Sequence, residues 1–212
     1  MQDEQRLWLR LHLASGVGRV GLIRIREAFG DPAAALAASA EELSARTGIR
    51  AVAARDIPAE DDPAYLKTLE GLERDGVRIV GLWDEDYPPL LRQIHDPPAL
   101  LYVRGRLPAD DGLAVVGSRR ASEHGRIFTE RLCRELSAAG LAIVSGLARG
   151  VDSAAHCGAL AASGVTVGVL GCGIDRIYPP ENRRLFEQVL ERGAIVSEYP
   201  PGTRPLPGHF PG

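Results

Sequence analysis

Two segments of the sequence combine a glycine turn with arginine side chains, a pairing that suits the binding of anions. The first is Gly117-Ser118-Arg119-Arg120, and the second is Ser145-Gly146-Leu147-Ala148-Arg149-Gly150. Each follows a short apolar run and precedes a helical pattern. Glycine lets the backbone approach a ligand, amides at a helix start favour negative charge, and a guanidinium can hold a phosphate with two hydrogen bonds. Both are candidate anion sites, although each alone also suits an ordinary strand-to-helix loop.

A third segment begins a helix with Asn182, Arg183 and, one turn later, Phe186. Residues three apart share a helix face, so Arg183 and Phe186 can act on one ligand. A cation beside an aromatic ring is the combination that holds the backbone and one base of a single nucleic-acid strand. The alternative is that Phe186 packs inward with the neighbouring apolar residues of its helix.

Asp152 and His156 lie four residues apart and so share a helix face. Such a pair can do acid–base chemistry, but we favour a helix cap for Asp152 and a structural hydrogen bond for His156. The spelling Gly16-Val17-Gly18-Arg19-Val20-Gly21 fits a dinucleotide-binding turn, which must follow a strand. Helical spacing precedes it here, so a helix–hairpin–helix turn or a plain tight turn is expected instead.

The surrounding pattern predicts an α/β fold. Apolar runs at 77–82, 100–104, 113–117, 141–145, 165–170 and 194–197 alternate with helical patterns at about 64–74, 122–139, 152–162 and 181–192. This alternation is typical of a parallel, Rossmann-like sheet, and right-handed crossovers make it doubly wound or nearly so. The glycine–arginine segments then meet at the carboxyl edge, where such sheets bind ligands.

The first part of the chain has a different pattern. Residues 5–57 carry apolar residues at helical spacing, with Asp31 and Ser39 as candidate helix caps, and a polar, proline-bracketed stretch follows at 58–63. We therefore predict a small all-α domain over residues 1–60 and a Rossmann-like domain over residues 61–212.

Composition excludes several classes of protein. The net charge is −3, but residues 104–150 carry eight arginines and five acidic residues, a local excess compatible with nucleic acid or with a solvated face. No apolar run is long enough for a membrane helix, and the acidic N-terminus is unlike a signal peptide, so a cytoplasmic protein is expected. Three cysteines without close spacing suggest small buried residues rather than a disulfide or a metal site.

A co-linear run of motifs resembles the DNA-processing protein A (DprA/Smf) family. It comprises Gly117-Ser118-Arg119, the segment from Ser145 to His156, Gly171-x-Gly-Ile-Asp175-x-x-Tyr178-Pro, Ser197-Glu198-Tyr199-Pro-Pro-Gly202, and His209-Phe210-Pro211. Members of the family continue beyond the last motif, so the C-terminal part of the Rossmann-like domain is expected to be missing from a chain that ends at Gly212.

The resemblance implies a sterile-alpha-motif-like helical domain and a domain that binds single-stranded DNA. It also implies a role in natural transformation, loading of the RecA recombinase, dimerisation of the longer protein, and a pocket containing Arg119, Arg149 and Arg183. No catalytic residue, cofactor or metal follows from it. The alternatives are a nucleotide-handling, phosphoribohydrolase-like enzyme, whose motif is missing from the sequence, and a protein–protein adaptor.

Overall fold

The computed structural model describes residues 1–209, which form two compact units. The first comprises Met1–Tyr87 with Ile94–Leu101, and the second comprises Pro88–Gln93 with the chain from Tyr102 onward. The first unit therefore reaches beyond residue 60. The domain boundary that the sequence suggests there stays a prediction.

Six helices and the first strand make up most of the first unit. They are α1 (Asp3–Leu13), α2 (Arg19–Phe29), α3 (Pro32–Ala37), α4 (Ala40–Thr47), α5 (Ala51–Arg55), α6 (Pro63–Arg74) and β1 (Val77–Gly81). Asp31 and Ser39 cap α3 and α4 through their side chains, as the sequence predicts. The Gly16–Gly21 segment lies between α1 and α2, so a strand does not precede it.

The second unit holds the alternating elements of the α/β pattern. After α7 (Pro89–Arg92), the elements are β2 (Leu100–Gly105), β3 (Gly112–Ala114), α8 (Glu123–Ala138), β4 (Ala142–Ser145), α9 (Val151–Ala161), β5 (Thr166–Leu170), α10 (Arg183–Arg192) and β6 (Ala194–Ser197). Single 3₁₀ turns lie at Pro180–Asn182 and Pro207–His209. Strand β2 begins in the first unit.

The six strands form one sheet in the order β1-β2-β6-β5-β4-β3. Strands β3, β4, β5 and β6 are parallel, which confirms the Rossmann-like prediction. Two details differ from the expectation. Strand β2 runs antiparallel to β6, and β3 to β6 follow one another in a single direction across the sheet. Right-handed crossovers then place α8, α9 and α10 on one face, so strands β3 to β6 are singly wound.

Close packing of α8 on α9 fixes the layer above the sheet. A Cβ at Gly158 would overlap the backbone carbonyl oxygen of Glu130, so the two helices touch at this point. Cys133 of α8, Ile143 of β4 and Ala155 of α9 belong to one fully buried apolar cluster. Small residues at the crossing let α8 and α9 approach each other and the sheet.

Within residues 1–209, no helix is both long enough and apolar enough to cross a membrane. The same range holds no group of three or more His, Cys, Asp or Glu side chains placed to bind a metal ion. Cys133 and Cys172 are buried, whereas Cys157 is exposed, contrary to the sequence expectation of buried cysteines.

Candidate nucleic-acid interface

The two glycine–arginine turns contact each other at the carboxyl edge of the sheet. We call residues 117–120 the first turn and residues 146–150 the second. Gly150 has a φ of +80°, and a Cβ there would overlap the backbone carbonyl oxygen of Ser118. That carbonyl accepts a hydrogen bond from the amide of Val151 at 3.2 Å, at the start of α9. Glycine alone tolerates this combination of a left-handed backbone and a close approach.

Asp152 ties the two turns together from the first turn of α9. Its carboxylate accepts a hydrogen bond from the amide of Ala148 at 3.4 Å and further ones from the amides of Gly117 and Gly146. Burial raises the pKa of Asp152, while these amides and the charge of Arg119 act in the opposite direction. The sequence suggested that such amides would hold a ligand anion, but the protein's own carboxylate takes those of Gly117, Gly146 and Ala148. The exposed arginine side chains remain as candidate anion contacts at this edge.

Ser145 and Asn182 serve the architecture of the edge. Ser145 is buried, and its hydroxyl donates to the carbonyl of Val115 at 2.7 Å, which links the chain after β3 to the end of β4. The Asn182 side-chain amide donates to the carbonyl of Leu147 at 2.7 Å and to the hydroxyl of Ser153 at 3.0 Å. These two predicted site residues hold the second turn in place by internal hydrogen bonds.

The arginines of both turns lie at the surface. Arg119, Arg120 and Arg183 are exposed. The Arg149 side chain is 68% exposed and pairs with the carboxylate of Glu181. The pKa of Glu181 is lowered by its own backbone amide and by the Arg149 guanidinium, while desolvation acts against them. Because this pair is exposed, a phosphate can replace the carboxylate at small cost.

Phe186 is not brought to this surface. The residue is only 2% exposed and belongs to the buried side of α10, together with Leu185 and Val189. The inward packing that the sequence left open is therefore the arrangement found. The ring offers no open face for a base.

The side chains of His156 and Asp152 have separate hydrogen-bond partners. His156 is fully buried, and its Nδ1 lies 2.7 Å from the hydroxyl of Thr166, which itself donates to the carbonyl of Ile143. This arrangement makes Nδ1–H the donor to Thr166. Burial lowers the pKa of His156 to about 4, with the Ser145 backbone acting in the opposite direction. These partners support a structural role for His156.

The motif at residues 171–178, which follows β5, packs against the last described residues of the chain. The carboxylate of Asp175 accepts from the amide of Gly202 at 2.9 Å, and the Tyr199 ring stacks on His209 with centroids 4.2 Å apart. The His209 ring nitrogen also lies 3.2 Å from the carbonyl oxygen of Gly171. These contacts order the loop after β5. Phe210 and Pro211 of the last motif lie outside the described residues.

A groove between α8 and α9 opens next to the two turns. Arg119 and Arg149 line its mouth, and Arg126 of α8 lines it as well. Arg126 was not among the residues predicted from the sequence, because it does not lie in a glycine turn. The signal available was its position one turn into the helix that Ser122 caps.

The fold and this edge define a Rossmann-like α/β protein with two coupled glycine–arginine turns. The family model for DNA recombination-mediator protein A matches residues 78–212, and the chain belongs to this family. It is 37% identical to Protein Smf of Synechocystis sp. over 216 residues, which cover 99% of this chain and 54% of that relative. The chain therefore spans about half the length of this relative.

Two solved structures are also similar. The structure of DNA processing protein A from Streptococcus pneumoniae has a TM-score of 0.77 at 30% identity, covering 99% of this chain and 72% of the other. A structure of DNA processing protein A from Helicobacter pylori, described for its single-stranded DNA binding mode, has a TM-score of 0.54 at 32% identity. It covers 63% of this chain and 60% of the other.

Proposed function

We propose that the chain binds single-stranded DNA at the carboxyl edge of its sheet and acts in DNA processing during natural transformation and recombination. The observation that carries the proposal is the contact between the two turns, which places Arg119 and Arg149 at the mouth of one groove. Neighbouring guanidinium groups at fixed positions suit the regularly spaced phosphates of a strand.

Family membership supports the same ligand. A relative from Helicobacter pylori is described for its single-stranded DNA binding mode. By extension, the longer protein protects incoming DNA in the cytoplasm, helps load RecA and forms a homodimer. The chain spans about half the length of the relative from Synechocystis sp.. These wider activities are therefore part of the proposed function.

The proposal is of a binding protein rather than an enzyme. The nearest candidate for acid–base chemistry was the pair of Asp152 and His156, and both side chains have structural partners instead. A nucleotide-handling enzyme would bind mononucleotides at this edge, whereas an adaptor would bind neither nucleotides nor DNA. A titration with oligo-dT and with a panel of mononucleotides separates the three.

Arginine substitutions test the site directly. Arg119→Ala and Arg149→Ala should each weaken oligo-dT binding by roughly 1–3 kcal/mol, the range for loss of a good nucleic-acid contact. Folding should change little, because both side chains are exposed. Binding is measured by fluorescence anisotropy, and folding by thermal melting.

Arg24→Ala is the control, since Arg24 is an exposed residue of α2 whose guanidinium donates to the Thr47 carbonyl at 3.4 Å. Normal binding by a folded Arg119→Ala or Arg149→Ala protein would remove that residue from the site. Tighter binding to duplex than to oligo-dT would contradict the proposed ligand.

A further inference from the structure

Arg149 already has a partner in the unbound protein. Its guanidinium contacts the carboxylate oxygen Oε1 of Glu181 through both Nε and Nη2. The two residues are 32 positions apart in the sequence, so the contact joins the second turn to the loop in front of α10. One of the two arginines assigned to DNA above is therefore neutralised by a carboxylate of the protein itself.

The Glu181 carboxylate is held beside the second turn by its own loop. Glu181 lies in the 3₁₀ turn at Pro180–Asn182. The next residue, Asn182, donates to the carbonyl of Leu147 at 2.7 Å and to the hydroxyl of Ser153 at 3.0 Å, which fastens the loop to the second turn. The backbone amide of Glu181 also donates to its carboxylate. These contacts restrict the carboxylate before the pair forms, so the pair loses less side-chain entropy than most surface ion pairs.

The two carboxylates at this edge differ in whether they can leave. Asp152 is 7% exposed and accepts from amides of both turns, so displacing it would leave those amides without their acceptor. The Glu181 side chain is 45% exposed, and its carboxylate can turn into solvent, where water hydrates it. A phosphate that binds Arg149 beside an unmoved Glu181 would meet a like charge. The carboxylate of Glu181 is therefore the one that a phosphate replaces.

We propose that Glu181 is an internal competitor for Arg149, which a phosphate of a bound strand must displace. The proposal rests on the single-stranded DNA binding proposed above and adds a residue that lowers the affinity of that site. The size of the effect is that of an exposed ion pair, so Glu181 weakens binding by roughly threefold to fivefold rather than blocking it.

Removing the charge of Glu181 tests the competition. Glu181→Gln keeps the size of the side chain and should tighten oligo-dT binding by roughly threefold to fivefold, measured by fluorescence anisotropy. Glu135→Gln is the matched control, because Glu135 also pairs with an exposed arginine, Arg131, at 3.0 Å. That pair lies towards the end of α8, which runs from the carboxyl end of β3 to the amino end of β4.

The control separates the local contact from the overall charge. Both substitutions remove one negative charge, but Glu181 contacts an arginine of the second turn, whereas Glu135 contacts an arginine of α8. Glu135→Gln should leave oligo-dT affinity unchanged, because salt screens a charge at the far end of the helix. Equal gains from the two substitutions would attribute the effect to net charge and overturn the proposal.

A double substitution tests whether Glu181 acts through Arg149. In the Arg149→Ala protein, Glu181 no longer has that guanidinium to compete for. Adding Glu181→Gln there should change oligo-dT affinity far less than it does in the unaltered protein. An equal gain in both backgrounds would mean that Glu181 repels the strand directly, and would overturn the competition.

The ionisation of Glu181 gives a readout that does not depend on affinity. Its backbone amide and the Arg149 guanidinium lower the pKa of Glu181, and desolvation opposes them. Saturation with oligo-dT should raise this pKa, because the carboxylate loses the guanidinium and gains a phosphate nearby. Arg149→Ala should raise it as well. NMR titration of protein carrying ¹³C-labelled glutamate measures the pKa, with the signal assigned from Glu181→Gln. A pKa of Glu181 unchanged by saturating oligo-dT would contradict displacement.

The outcomes separate this inference from the proposed function. If Arg149→Ala weakens oligo-dT binding while Glu181→Gln leaves it unchanged, the proposed function stands and the competition fails. If oligo-dT binds neither the unaltered protein nor the Glu181→Gln protein, the proposed function fails and the inference fails with it.

Discussion

Asp152 shows how a single residue changes the chemistry of the carboxyl edge of the sheet. Its carboxylate takes hydrogen bonds from amides of both glycine–arginine turns, including that of Ala148 at 3.4 Å. A hydrogen bond to a charged group contributes about 1.5–3 kcal/mol, so this carboxylate stabilises the turns as a pair. The proposed contacts to a DNA strand are therefore assigned to side chains, and above all to Arg119 and Arg149.

At Phe186, burial rather than ligand contact decides the effect of substitution. Because the residue is 2% exposed within α10, Phe186→Ala should lower the free energy of unfolding by about 3–5 kcal/mol, as expected for a large-to-small change in a core. Urea unfolding followed by circular dichroism measures this.

Phe128→Ala is the control, because that ring is 67% exposed. It should change the stability by less than about 0.5 kcal/mol. A Phe186→Ala protein with unchanged stability and weakened DNA binding would mean that the ring acts on the ligand after all.

The protonation of His156 links stability to pH. Burial lowers its pKa from 6.5 to about 4, so the folded protein resists a proton that the unfolded chain accepts. Stability is then fully present above about pH 6.5 and falls as the pH drops to 4, by up to about 3 kcal/mol. Urea unfolding at a series of pH values measures the slope.

The His156→Gln protein lacks this titrating group. Its free energy of unfolding should therefore change less between pH 6.5 and pH 4, whatever its absolute stability. His12, whose pKa burial also lowers to about 4, contributes in the same direction and accounts for part of the remaining slope. An identical pH profile for His156→Gln and the unaltered protein would contradict the assignment.

At the scale of elements, the contact between α8 and α9 determines both the core and the adjoining groove. A Cβ at Gly158 would overlap the Glu130 carbonyl oxygen, so Gly158→Ala must push the helices apart. We expect a loss of about 1–3 kcal/mol, typical of overpacking. Thermal or urea unfolding gives the value.

Gly71 of α6 offers a matched control. It is also a glycine within a helix, but a Cβ there meets nothing within 4 Å. Gly71→Ala should therefore stabilise the protein by up to about 1 kcal/mol through helix propensity. If Gly158→Ala also stabilised the protein, helix propensity rather than packing would control the effect at the crossing of α8 and α9.

At the scale of the whole molecule, the distribution of charge matters more than its sum. The net charge is −3, yet residues 104–150, which carry the first and second turns, have eight arginines against five acidic residues. Binding should therefore depend strongly on salt, with log affinity falling against log salt by about 0.7 per phosphate neutralised on a single strand.

Titration of oligo-dT at several salt concentrations measures that slope. Arg149→Ala should reduce it by somewhat less than one unit, whereas Arg24→Ala should leave it unchanged. A slope near zero in the unaltered protein would exclude phosphate contacts as the source of affinity.

The sequence by itself determined the elements and their class. Apolar periodicity acts over a few residues, so it predicted strand β6 at 194–197 and the helices that follow β3, β4 and β5. Capping residues also act locally, so Ser39 predicted the start of α4. The positions of the glycine–arginine turns followed, since the carboxyl ends of parallel strands meet at one edge.

Only the tertiary structure decided which of the candidate side chains are exposed at the carboxyl edge of the sheet and which are buried. The direction of β2 and the single winding of β3 to β6 depend on pairings between distant residues, which local periodicity does not encode. The burial of Phe186 was one of two possibilities left by its helix, and packing chose between them. Asp152 accepts hydrogen bonds from the turn amides, and Arg126 lines a groove, where α8, α9 and the strand ends converge in space. The positions of these residues along the chain could not reveal these contacts.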